Sequence, residues 1–185
     1  MSEAEFLRHL AENNWLEYVE GRLRPTMSAA SINHAFIIAN TYDLLKSWAD
    51  RLKHGRVFGD GLHFNLYPEA GGLRGTRIPD VSFVRLARLQ ALTNLEGLFP
   101  GPPDLAVEVV SPRESEAETL AKIKDYLEAG SNEAWVLYPR EKSLHRYLHP
   151  ASPPEIYAPE TVLAPESLFP ACQTQVKVFF EFNLD

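Results

Sequence analysis

A charged residue inside an apolar run constrains this chain more than any other feature. Asp104-Leu-Ala-Val-Glu-Val-Val110 reads as a central strand buried on both faces, with Glu108 in its interior. Burying a lone carboxylate costs several kcal/mol unless it is paired or coordinates a metal, so Glu108 requires a partner. Two kinds are open. One is a divalent cation, which as a hard ion takes oxygen ligands from one or two carboxylates. The other is a core arginine or lysine. Asp80, in the alternating segment Ile78-Pro-Asp-Val-Ser-Phe-Val84, lies near the start of a neighbouring half-buried strand and can supply a second carboxylate. Taken singly, an Asp after Pro at a strand entrance is also an ordinary turn residue.

The remaining patterns place these two strands in an α/β chain. Phe6, Leu7 and Leu10 recur at helical spacing in Glu3 to Asn13, and Trp15 to Arg24 is a hairpin turning at Glu20-Gly21. From Ser28 to Lys53 the apolar residues follow the period of the longest helix, ended by Gly55. Val57-Phe58 and His63 to Tyr67 read as strands, Gly71 to Gly75 as a loop, Leu86 to Leu92 as a short helix, and Phe99 to Pro103 as a loop. Ser111-Pro-Arg-Glu114 has the S-x-x-E form of a capping box with Pro at the first helical position, so a helix begins near there and stops at Gly130. Trp135 to Tyr138 and Ser143 to Leu148 form a strand pair, and short strands alternate with Pro-rich turns in the tail.

A length of 185 residues fits one domain spanning 1–185, and 45% apolar residues suffice for a real core. A lone cysteine, Cys172, rules out an internal disulfide and a Cys-based zinc site. With no leader-like N-terminus and no membrane-length apolar run, a cytoplasmic protein without membrane contact is expected. The net charge of −7 argues against a protein that coats nucleic acid nonspecifically, but not against an enzyme that gathers carboxylates around a cation. Loops and signatures of serine hydrolases, P-loop enzymes, zinc proteases and dinucleotide binders are missing from the sequence.

Arg77-Ile-Pro-Asp80-Val-Ser-Phe-Val84, Pro103-Asp-Leu-Ala-Val-Glu108-Val-Val-Ser-Pro112, and Lys122-Ile-Lys-Asp-Tyr126-Leu-Glu-Ala-Gly130 with Trp135-Val-Leu-Tyr-Pro139 together resemble the Uma2 family. That family consists of bacterial proteins labelled restriction endonucleases within the PD-(D/E)XK nuclease superfamily. The resemblance runs from Leu16-Glu-Tyr-Val-Glu-Gly21 to Leu168-Phe-Pro170, with the middle block its specific part. It implies a restriction-endonuclease-like core, a central mixed β-sheet flanked by α-helices. It also implies that Asp80, Glu108 and the carbonyl of Val109 bind magnesium or manganese. The standard motif places Lys two residues after the acid, where this chain has Val110; in the family a helix lysine four before the Tyr takes over, which is Lys122. Glu17 and His34 match further polar positions, as accessory ligands or water-orienting groups.

Periodicity alone does not choose the lysine. Lys122 and Lys124 point about 200° apart on a helix, and an expected sheet-facing row of Leu120, Ile123 and Leu127 favours Lys124, whereas the resemblance selects Lys122. Asp104 shares strand parity with Glu108, but four residues away on the same strand it does not take the place of the separate-strand aspartate.

The function expected is Mg2+- or Mn2+-dependent hydrolysis of a nucleic-acid phosphodiester, DNA being the foremost substrate. The alternatives are a regulatory or non-catalytic binding module that keeps the fold, and a hydrolase of small phosphate esters. A homodimer is expected from the resemblance and from the aromatic tail, Phe179, Phe180 and Phe182.

Overall fold

The computed structural model describes residues 1–26, 31–68, 72–112 and 114–182. Helix α1 (Glu3–Glu12) leads into the hairpin β1 (Leu16–Val19) and β2 (Arg22–Pro25), which turns through Glu20 and Gly21, both at positive φ. The long helix α2 (Ile32–Leu52) follows. Ser31 caps it, and residues 27–30 of the predicted helix lie outside the described residues.

The helix ends differently from the expectation. Lys53 takes the left-handed terminal position at φ 52°, while Gly55 opens β3 (Gly55–Gly59). A Cβ on Gly55 would stand 2.3 Å from the Val84 carbonyl and 2.4 Å from the Phe83 ring, so the glycine is required by strand packing. After β4 (Phe64–Asn65) and β5 (Thr76–Arg77) come β6 (Val81–Arg85) and the short α3 (Leu86–Gln90). Gly71, at the start of the predicted loop, lies outside the described residues. The predicted loop at Phe99 contains β7 (Phe99–Pro100), paired in parallel with β4.

The central strand β8 (Leu105–Val109) is buried throughout. Helix α4 (Glu116–Ala129) begins later than the Ser111 pattern predicts, because Ser115 and Glu118 form the capping box and Ser115 is the N-cap. Gly130, at φ 110°, ends it as expected. Strands β9 (Glu133–Tyr138), β10 (Ser143–Tyr147) and β11 (Glu155–Tyr157) complete a six-stranded sheet in the order β11-β10-β9-β8-β6-β3. β8 and β9 are parallel and the other neighbouring pairs in that sheet antiparallel, so the sheet is mixed.

The two faces of the sheet carry separate cores. Leu105, Val107, Val109, Trp135 and Leu137 pack toward Ile37, Leu45 and Trp48 of α2. Ala106, Ala134 and Val136 pack toward Ile123, Tyr126 and Leu127 of α4. The tail, with β12 (Val162–Leu163), β13 (Thr174–Gln175) and the 3-10 helix Val176–Phe180, closes the α2 face. Phe179 and Phe180 are buried in this chain's own core, which removes them as grounds for a partner copy. Phe182 is 51% exposed and rests edge-on against Phe36. No helix among the described residues is long and apolar enough to cross a membrane.

Candidate active site

The register between β6 and β8 brings the predicted acids together. Val81 pairs with Val107 and Ser82 with Ala106, so one further step places Asp80 opposite Glu108. Asp80 lies just before β6, and its Oδ2 accepts the Val109 N–H at 2.7 Å. A side chain thus continues the ladder where the strand has ended.

Glu108 is 2% exposed and faces α4. Its Oε1 accepts the Tyr126 hydroxyl at 2.8 Å, and its Oε2 accepts Lys122 Nζ at 3.0 Å. Lys122 Nζ also meets Glu114 Oε1 at 2.9 Å. The burial of α4 turns Lys122, and not Lys124, toward the sheet. Thr119, Ile123, Tyr126 and Leu127 face inward, Leu120 is 37% exposed, and Lys122 sits between Thr119 and Tyr126 on the inward side. Lys124 is exposed and pairs with Glu128 at 3.6 Å. Both candidate partners of Glu108 therefore remain compatible: the lysine is present, and its own site is shared with further acids.

His34 reaches the same place from α2. Its Nε2–H donates to the Val109 carbonyl at 2.9 Å and lies 3.8 Å from Asp80 Oδ2. Nδ1 is buried without a partner among the described residues. Glu17 is engaged nearby but not toward the acid pair: Oε2 accepts Arg77 Nη1 at 2.6 Å and Oε1 accepts the Ile78 N–H at 3.0 Å. Asp104 accepts the Arg85 N–H and Arg88 Nη1, at 3.0 and 3.1 Å, away from the pair.

Two carboxyls, Glu108 and Glu114, contact the Lys122 ammonium, and Asp80 stands across from Glu108; burial dominates the protonation of Asp80 and Glu108. It pushes Asp80 up to about 7, against the Val109 N–H and Lys122, which pull downward. It pushes Glu108 up to about 8, Lys122 opposing and Asp80 reinforcing. Burial alone would lower Lys122, but Glu108 and Glu114 outweigh it and hold the ammonium protonated. Burial, then Glu108, raises the Tyr126 phenol, which stays a donor.

The oxygen donors fit a hard divalent ion. Two carboxyls and a backbone carbonyl meet here, and the protons that the buried acids retain near neutrality are those a cation would replace. No cluster of three or more His, Cys, Asp or Glu side chains fit to hold a metal occurs among the described residues. A magnesium-type site that leaves positions for water and phosphate needs only one or two carboxylates.

Tyr126, Glu114, Arg77 and Asp125 are the neighbours that sequence patterns did not assign. Tyr126 serves in the motif only as a landmark, and partners sixty residues apart such as Glu17 and Arg77 leave no local periodicity.

A mixed six-stranded sheet flanked by helices places the chain in the α/β class. The chain is similar to the structure titled "Crystal structure of a putative nuclease belonging to DUF820 from Anabaena variabilis ATCC 29413", with TM-score 0.78, 22% identity and 97% of each chain covered. At that identity the likeness shows the fold. The profile of the Uma2 family, described as "Putative restriction endonuclease", matches residues 4–177, and the chain belongs to that family. No curated protein sequence matches it.

Proposed function

We propose that this chain is a metal-dependent nuclease, with Asp80, Glu108 and the Val109 carbonyl holding Mg2+ or Mn2+ and Lys122 acting on the attacked phosphate. The observation that carries this reading is the buried Glu108 and the half-buried Asp80 in cross-strand register, with Lys122 delivered to Glu108 by the next helix. A divalent cation in such a site supplies stabilisation of charge on the scissile phosphodiester and activation of water.

The protein side chains do the rest. Asp80 is oriented by the Val109 N–H, and Glu108 by Tyr126 and Lys122. Asp80 and Glu108 retain protons near neutrality, which a bound cation would displace. Lys122, held cationic, donates to water or phosphate oxygen instead of accepting a proton. His34 fixes the Val109 carbonyl until that oxygen is needed as a ligand. Nucleic acid, with DNA the foremost case, is the substrate class.

A supercoiled plasmid incubated with Mn2+ tests the reading. Nicking by wild type and none by Glu108→Ala is expected. Equal nicking by both would sink the assignment. Binding of Mn2+ and DNA by wild type without nicking would favour the binding-module alternative, for which the full engagement of both Glu108 oxygens is the specific support.

A further inference from the structure

The geometry points to Arg77 as a positioning residue that sets Asp80 and the Lys122 helix against each other; this deepens the nuclease reading and rests on it for its catalytic consequence. Arg77 is 6% exposed and joins three segments of the fold. Nη1 donates to Glu17 of β1, while Nε and Nη2 donate to Asp125 Oδ2 of α4 at 3.0 and 2.5 Å. Burial would lower its pKa, but Glu17 and then Asp125 more than compensate, so the guanidinium remains a cation.

Each end of this clamp lies beside a site residue. Asp125 immediately precedes Tyr126, which holds Glu108 Oε1, and lies one helical turn beyond Lys122. Glu17, fixed by Arg77, accepts the Ile78 N–H, and only Pro79 separates Ile78 from Asp80. Proline fixes its own φ near −65° and confines the preceding residue to extended conformations. A fixed Ile78 amide therefore transmits its position to Asp80 through a stiff dipeptide. The planar fork of arginine suits this task, because one head group can contact two carboxylates in set directions.

An ion pair that merely stabilises the fold would not single out the site. The distinguishing probe is amide hydrogen exchange in the metal-free protein, where protection of the Val109 N–H depends on Asp80 Oδ2. In Arg77→Met we expect Val109 and Ile78 to exchange about tenfold faster or more than the other slow amides of β8. Mn2+ affinity, read by calorimetry, should weaken about tenfold or more, as for other residues that orient metal ligands. Arg77→Lys keeps the buried cation but loses the fork. It should restore part of the protection, and it carries the test if Arg77→Met does not fold. Uniform acceleration across β8, or unchanged Val109 exchange in a folded variant, overturns the positioning role. Because exchange is read without metal, a wild type that binds no Mn2+ would sink the nuclease reading while the exchange pattern still decides this one.

Discussion

At the scale of single residues, the cost of Glu108 is the clearest link between structure and function. A carboxyl buried beside Asp80 is held at about 8, well above its ordinary value of 4.5, and Asp80 at about 7 instead of 3.8. The folded protein thus keeps protons that the unfolded chain has released. Stability from these two groups is fully present below their ordinary values and is lost as pH rises toward about 8. Scanning calorimetry of the metal-free protein should therefore show a lower Tm at pH 8 than at pH 5.5, with saturating Mn2+ narrowing the difference. A Tm that climbs over that interval would mean that both acids are already ionised at the lower pH. Glu108→Gln keeps the shape and removes the charge, so it should raise stability at pH 8 by about 1–2 kcal/mol while abolishing Mn2+ binding. Lys122→Ala should lower kcat by about a hundredfold or more and leave metal binding largely intact, whereas Lys124→Ala should keep full activity.

At the scale of elements, strands and helices were legible where one face dominates. The apolar run around Glu108, the Glu20-Gly21 hairpin and the Gly130 stop each encode their geometry in adjacent residues, and the structure has all three. The alternating segment before Val84 is a strand as well, but Val81 to Val84 are buried on both faces and not on one, because β6 lies inside the sheet between β8 and β3. The start of α4 was not legible. Ser111 and Ser115 both begin an S-x-x-E pattern, and it is Ser115 that forms the capping box, with Glu118. The inward face of α4 was legible in part: Ile123 and Leu127 are buried as their spacing predicts, whereas Leu120 is half-exposed and Thr119 and Tyr126 complete the inward row. Ser115→Ala should cost about 1 kcal/mol in denaturant unfolding. Gly55→Ala should cost more, about 2 kcal/mol or above, because the added Cβ meets the Val84 carbonyl at 2.3 Å and no side-chain motion relieves a backbone clash.

At the scale of the whole molecule, the tail is part of the core. Phe179 is fully buried and stands edge-on to Trp135 at 6.4 Å, so Phe179→Ala should cost about 3–5 kcal/mol by denaturant unfolding. Phe182→Ala, at a half-exposed ring, should fall within about 1 kcal/mol of wild type. Equal effects at the two positions would show that the ring at Phe182 is also covered in solution. The parallel pairing of β8 and β9 carries a different consequence. A parallel neighbour obliges the chain to leave the top of β8 and return over the sheet, and α4 is that return. From Glu116 to Lys122 the helix descends about 9 Å at roughly 1.5 Å per residue, which brings the lysine back to the level of the acid. The acid and the lysine are thus matched by height above the sheet and not by spacing along the chain. A single insertion between Ser115 and Lys122 therefore turns the lysine by about 100° and empties its place beside Glu108.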